Sequence, residues 1–93
     1  MTAMLCWNKV RDFGRWKRIF DAHAADHEQA GLTLTHIWRE VEDPSEVYML
    51  FDVKDINKAR AFMTSPYVPK EQEEAGIIDG PDVHFLEGGR PMH

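Results

Sequence analysis

The spacing of apolar and polar residues predicts two helices. The first helical pattern begins after Asp12, a residue type that caps helix N-termini, and ends at Gly31. Apolar and histidine positions recur along it at steps of three and four, which is the spacing of one helix face. A second helical pattern begins after Asp55 and stops before Pro66. The stripe on the first helix consists of Phe13, Trp16, Phe20, His23, Ala24, His27 and Ala30.

Four runs rich in β-branched, aromatic and aliphatic residues predict strands at residues 4–10, 32–42, 46–53 and 82–86. A turn at Asp43 and Pro44 makes the second and third strands an antiparallel hairpin. In the second strand, every second position is occupied by one of the residues Leu32, Leu34, His36 and Trp38. A weaker helical signal covers residues 67–76.

The predicted order β-α-β-β-α-β indicates an α+β fold of the ferredoxin-like βαββαβ type, with a four-stranded antiparallel sheet and both helices on one face. In the third strand, however, residues 47–51 are apolar at the positions that face either side of the sheet, and the first strand is nearly so. Such strands are typical of sheets that are covered on both sides. We therefore expect a second copy of the chain to cover the open face and form a dimeric α+β barrel.

Length and charge narrow the class of protein. The chain of 93 residues fits one domain, residues 1–93, in which residues 88–93 form a loose tail. A net charge of -5 argues against nucleic acid as a main partner. No apolar stretch approaches the roughly 20 residues of a membrane helix, and a cytoplasmic location is expected. The single cysteine, Cys6, is predicted to be a buried core residue.

A set of short motifs extends along nearly the whole chain: Asp12-Phe13, Trp16, Phe20, His23, Ala30-Gly31-Leu32, Asp43-Pro44, Ala59, Ala61-Phe62, Ser65-Pro66, Ala75-Gly76 and Phe85-Leu86-Glu87. In these motifs the sequence resembles the small stand-alone members of the antibiotic-biosynthesis-monooxygenase-like superfamily, many of which are cyclase-like or of unknown function. The resemblance implies the dimeric barrel, and superfamily relatives include cofactor-independent monooxygenases, polyketide cyclases and haem-degrading enzymes.

The candidate chemistry centres on His23 and His27, which project from one face of the first helix. In one interpretation, His23 is a satisfied core residue that bonds to backbone or to Asn8, and His27 lies near solvent at the helix end. In a second, His23 lines an apolar ligand pocket and moves a proton. In a third, the two histidines bind a metal ion or haem iron, which needs further ligands.

The resulting hypothesis is a small-molecule-binding dimer, acting without a bound cofactor as a monooxygenase or cyclase on a small planar organic compound. His23 is the predicted acid/base. The alternatives are a non-catalytic ligand-binding or structural dimer, and a metal or haem protein. The predicted substrate-binding residues are Asn8, Trp16, Phe20, His27, His36, Trp38 and Tyr67.

Overall fold

Four strands and four helices alternate within residues 2–89, the part of the chain that the computed structural model describes. Residues 90–93 of the predicted tail lie outside this part. None of the helices within it is long and apolar enough to cross a membrane. The elements are β1 Thr2–Val10, α1 Phe13–Ala22, α2 Ala24–Gln29, β2 Leu32–Arg39, β3 Glu46–Val53, α3 Ile56–Met63, α4 Tyr67–Ala75 and β4 Ile77–Glu87.

The strands form one antiparallel sheet in the order β2-β3-β1-β4. β1 lies in the interior of this sheet, paired with β3 on one side and with β4 on the other. This order is that of a split βαβ arrangement, because β1 lies between β3 and β4 and does not pair with β2, the strand that follows it in the chain. The ferredoxin-like α+β fold predicted from the sequence is confirmed.

The core lies between the helices and one face of the sheet. Every second residue of β1 and of β3 is buried there, as the two-residue period of a strand requires. The largest buried side chain is Trp16 of α1, which is 2% exposed and packs on this face. Further core members from the strands are Met4, Cys6, Val10, Leu32, Val47, Met49, Phe51 and Val53.

A bulge in β2 reverses the face of its second half. Leu34 and His36 pair with consecutive residues of β3, so Thr35 is one residue too many for the ladder. The Thr35 hydroxyl donates instead to a β3 carbonyl oxygen at 3.0 Å. One extra residue shifts the alternation, so His36 and Trp38 point away from the helices. Leu34, His36 and Trp38 stand at alternate positions in the sequence, but the bulge puts His36 and Trp38 on the opposite face from Leu34.

The predicted first helix is divided in two. The backbone leaves helical geometry at His23, with φ -100° and ψ 11°, and the His23 amide bonds back to the carbonyl oxygen of Phe20 at 3.1 Å. Both predicted ends are correct: the Asp12 carboxylate accepts from the amide of Arg15, and Gly31 takes a φ of 77° that favours glycine. The break turns α2 relative to α1.

No helix within residues 2–89 packs on the second face of the sheet. Residues of β1 and β3 that point to this face are only partly buried, and Trp38 and Leu86 are 47% and 46% exposed. The His36 and Trp38 rings stack on it with centroids 5.1 Å apart. The Trp7 indole donates to Glu46 Oε1 at 3.1 Å on the same face. We call this surface the open face.

Candidate functional site

A small cavity lies between the helices and the sheet. Its volume is about 60 Å³, enough for about two water molecules. β1 and β3 form its floor, α1 and α2 one wall, and α4 the roof. Six of its lining side chains are apolar residues of the floor and wall, namely Met4, Cys6, Trp16, Phe20, Met49 and Phe51.

Asn8 supplies a polar group in the floor of this cavity. The residue is 4% exposed, and among residues 2–89 its Oδ1 is the buried side-chain polar atom without a hydrogen-bond partner. A buried acceptor left unpaired costs about 1–3 kcal/mol. Asn8 also lines the cavity, so its side-chain amide is a polar group in an otherwise apolar floor.

The backbone of β4 approaches Asn8 closely because residue 80 is glycine. The β1–β4 ladder is irregular there, since Trp7 pairs with Asp82 and Lys9 pairs with Asp79. Gly80 has a φ of 93°, and a Cβ at this position would lie 2.7 Å from the Trp7 carbonyl oxygen and 3.3 Å from Asn8 Oδ1. Only glycine fits this conformation without strain.

His27 and Glu71 form a second polar group in the cavity wall. His27 Nε2 lies 2.9 Å from Glu71 Oε1, and the two side chains are 9% and 12% exposed. An ionised carboxylate only accepts hydrogen bonds, so Nε2 carries the proton in this contact. His27 can therefore donate or take up a proton while a carboxylate partner holds its ring in place.

Aromatic rings surround the His27 imidazole. The centroids of Phe20, Phe62 and Phe51 lie 4.7, 5.7 and 6.5 Å from that of the imidazole. Phe20, Phe51 and His27 also line an adjoining groove of about 200 Å³ between α2 and β2. His27 thus contacts both the inner cavity and the outer groove, on the path that a ligand from the groove would take.

His23 lies outside the cavity, on the seam between α1, α2 and α4. Its Nε2 is 3.0 Å from Glu74 Oε1, and its Nδ1 contacts the Tyr67 hydroxyl, which itself donates to Asp26 Oδ2 at 2.7 Å. The bond to Glu74 raises the pKa of His23, and burial opposes the rise. Burial and the bond to Asp26 raise the pKa of Tyr67, and the bond from Tyr67 lowers the pKa of Asp26.

His27 is 7% exposed, whereas the side chain of His23 is 24% exposed. The first interpretation placed His27 near solvent, but the structure buries it. His23 is half-buried and contacts Glu74 and Tyr67 instead of Asn8. Each histidine faces a different carboxylate, and within residues 2–89 no group of three or more His, Cys, Asp or Glu side chains could hold a metal ion.

The structure brings together four of the predicted site residues: Asn8, Trp16, Phe20 and His27 all line the cavity. It places the other four elsewhere. Tyr67 lines a shallow groove between α2 and α3, and His23 lies on the helix seam beside it. His36 and Trp38 are on the opposite side of the sheet, as the β2 bulge requires.

The sequence did not predict that α4 forms the roof of the cavity. Glu71 and Gln72 of α4 line the cavity, but the helical signal of residues 67–76 was too weak to place them. No local signal singles them out, because Glu71 and its partner His27 lie 44 positions apart in the chain.

The sequence matches no family model and no curated protein. Among solved structures, an antibiotic biosynthesis monooxygenase-like protein from Bordetella bronchiseptica superposes with a TM-score of 0.75 at 13% identity, over 96% of this chain and 97% of that chain. A similarly described protein from Caulobacter crescentus CB15 gives 0.70 at 12%, over 96% and 90%. A conserved protein from Methanosarcina mazei Go1 gives 0.68 at 14%, over 95% and 92%.

The chain shares its fold with these proteins. The resemblance seen in the sequence is thereby confirmed for the fold. At these identities the likeness concerns the backbone arrangement alone, because one fold serves many unrelated reactions. The chemistry has to be argued from the cavity.

Proposed function

We propose that this protein binds a small, largely apolar and planar organic compound in the cavity and acts on it without a bound cofactor, as a monooxygenase or a cyclase. The observation that carries the proposal is that three polar side chains, those of Asn8, His27 and Glu71, line a largely apolar cavity. Ligand pockets are mostly apolar, with a few polar groups that orient the ligand.

The residues have distinct roles in this proposal. The Asn8 side-chain amide hydrogen-bonds a polar group of the ligand, and the aromatic walls of Trp16 and Phe20 pack on the plane of the ligand. His27 is the acid/base, held by Glu71. We assign this role to His27 instead of His23 because His27 lines the cavity and His23 does not. The ligand enters from the outer groove, and α4 has to move outward to make room for it.

The test is turnover by matched histidine variants on hydroxylated polycyclic aromatic compounds. A monooxygenase consumes oxygen and a cyclase releases water, so oxygen uptake and product mass separate the two. We expect His27→Gln to lower kcat about 10²- to 10⁴-fold, the usual contribution of a positioned acid or base. His36→Gln, on the open face, should leave kcat unchanged. Equal activity of both variants would contradict the role of His27.

A second candidate is a non-catalytic ligand-binding or structural dimer. The cavity volume favours it, because about 60 Å³ is far below the roughly 300–1,000 Å³ of ligand pockets. The same compounds decide between the candidates. Saturable binding without turnover supports a ligand-binding protein, and no saturable binding supports a structural one.

We further propose a cytoplasmic homodimer in which two copies pack through their open faces. Apolar side chains occupy the centre of this face, among them Leu5, Leu50 and Trp38, and the helices leave it uncovered. Exposed apolar patches of this kind are typical of contact surfaces. A second copy is the simplest cover, since two-fold dimers are the commonest assemblies.

The dimer predicts that Leu50→Lys produces a monomer at micromolar concentration, measured by light scattering. Lysine places a charge in the centre of the contact, where it would be desolvated. Val41→Lys is the matched control, because Val41 is 92% exposed in the β2–β3 loop. That variant should remain dimeric. A monomeric unsubstituted chain under the same conditions would overturn the dimer.

A further inference from the structure

The roof of the cavity is attached to the rest of the molecule mainly by polar contacts. α4 lines the cavity with Val68, Glu71, Gln72 and Ala75, of which only Val68 and Ala75 are fully buried. The N-terminus of α4 has no side-chain cap. Its remaining ties to α1 and α2 are hydrogen bonds and ion pairs made by Arg15, His23, Asp26 and His27.

One set of these contacts depends on the charge of His23, because each hydrogen bond in it needs its own proton. The single proton of the Tyr67 hydroxyl goes to Asp26 Oδ2, so the Tyr67 oxygen can only accept from His23 Nδ1. The Glu74 carboxylate also only accepts, so His23 Nε2 must donate to it as well. All three contacts are satisfied when both ring nitrogens of His23 carry protons.

The neutral imidazole cannot satisfy the same arrangement. With its one proton on Nε2 for Glu74, Nδ1 takes the Tyr67 proton, and the Tyr67 and Asp26 oxygens face each other without a hydrogen between them. His27 differs in this respect, because its single contact with Glu71 needs one proton on Nε2 and survives in the neutral ring. The charge requirement is therefore specific to His23.

We propose that the protonated His23 is a clasp that holds α4 over the cavity, and that loss of its proton loosens α4 and opens the cavity. The clasp consists of His23, Asp26, Tyr67 and Glu74. It ties both ends of α4 to the helix break, since Tyr67 begins α4 and Glu74 lies in its last turn. His23 is a positioning residue here, distinct from the acid/base.

The charges around His23 set the pH range in which the clasp is closed. The bond to Glu74 raises the pKa of His23 in the folded chain. The clasp therefore stabilises the closed position of α4 fully at pH values below the ordinary histidine pKa of about 6.5. This contribution is lost as pH rises through the raised pKa. The charged or titratable groups that face the seam are Arg15 of α1, Asp26 and His27 of α2, Lys58 of α3, and Tyr67, Glu71 and Glu74 of α4.

Cys6 provides a reporter of cavity opening. It is the single cysteine of the chain, it lines the cavity, and burial raises the pKa of its thiol to about 12. A small thiol reagent such as methyl methanethiosulfonate reaches it when the cavity opens. Comparing a variant with the unsubstituted protein at one pH cancels the pH dependence of the thiol itself.

The decisive experiment compares His23→Gln with the unsubstituted protein at about pH 5.5 and about pH 9, on either side of the histidine range. Glutamine reaches the same partners but carries no charge. We expect Cys6 to react about tenfold faster in His23→Gln at the lower pH and at nearly equal rates at the higher pH, since charge-assisted bonds are the stronger ones. His36→Gln should match the unsubstituted protein at both.

Two further measurements keep the result decisive. Tyr67→Phe keeps the ring but removes the bridging oxygen, so it should reproduce the faster reaction at the lower pH. Hydrogen exchange should show loss of protection in α4 and unchanged protection in β1 and β3. A rate ratio that is the same at both pH values, or equal loss of protection in β1 and β3, would overturn the clasp. No ligand is needed, so the outcome is independent of the proposed reaction.

Discussion

Replacing Asn8 with aspartate is expected to lower the free energy of unfolding by about 3 kcal/mol at neutral pH, because it buries an ionised carboxylate in an apolar cavity. The side chain at this position is 4% exposed, and Oδ1 has no partner to lose. Aspartate has nearly the shape of asparagine, so packing changes little and the loss measures the charge.

The direction in which the loss of stability changes with pH shows that the buried carboxylate causes it. Burial raises the pKa of the introduced carboxyl above its unfolded value of about 3.9, so the penalty is absent well below that pH. It grows as pH rises from about 3.9 to the folded pKa and is constant above it. Urea unfolding of both proteins at about pH 4 and about pH 7 measures this difference. A loss that does not depend on pH would contradict the burial of Asn8 in the cavity.

Asn8→Leu is the matched variant for the same site. It removes the unpaired acceptor and adds apolar volume beside a cavity of about 60 Å³. We expect its stability to equal or exceed that of the unsubstituted chain, because a buried unpaired acceptor is costly and cavity filling is favourable. The same variant should lose ligand binding. A stable protein that cannot bind is the result expected of a functional residue that is not needed for folding.

Replacing Trp16 with alanine is expected to cost about 3–5 kcal/mol, the usual range for truncating a large aromatic residue in a core. Trp16 is 2% exposed, and its ring contacts those of Phe13 and Phe20 at 5.7 and 5.1 Å between centroids. Because Trp16 also lines the cavity, its removal enlarges the proposed ligand site. Added indole should therefore restore part of the lost stability.

Trp38→Ala is the control for this prediction. Trp38 is 47% exposed on the open face, so its removal should change the stability of a single chain little. In a dimer, the loss should appear as a stronger dependence of the unfolding midpoint on protein concentration. If Trp38→Ala destabilises the chain as much as Trp16→Ala at every concentration, the assignment of Trp16 to the core and of Trp38 to a contact surface is wrong.

Local signals in the sequence were sufficient for most of the fold. Asp55 was predicted to begin a helix, and its Oδ1 accepts from the amides of Asn57 and Lys58 at 2.9 and 3.1 Å. β3 was predicted at residues 46–53, which are its observed bounds. Such predictions succeed because capping and alternation depend on near neighbours in the chain.

Single-residue irregularities decided features that the sequence left open. The Thr35 bulge places His36 and Trp38 on the open face, and the first helical segment breaks at His23. Neither residue type signals a bulge or a helix break. Each irregularity follows from how the strand or helix packs on its neighbours, and each moves every later side chain of its element.

The sequence by itself determined the ferredoxin-like topology and the burial of Trp16 on the inner face of the first helix. These follow from periodicity, which is a local property. Only the tertiary structure decided which histidine lies in the cavity and that α4 forms its roof. The His27–Glu71 and His23–Glu74 contacts join residues 44 and 51 positions apart, and no local pattern specifies such pairs. The chain encodes them through the packing of whole helices.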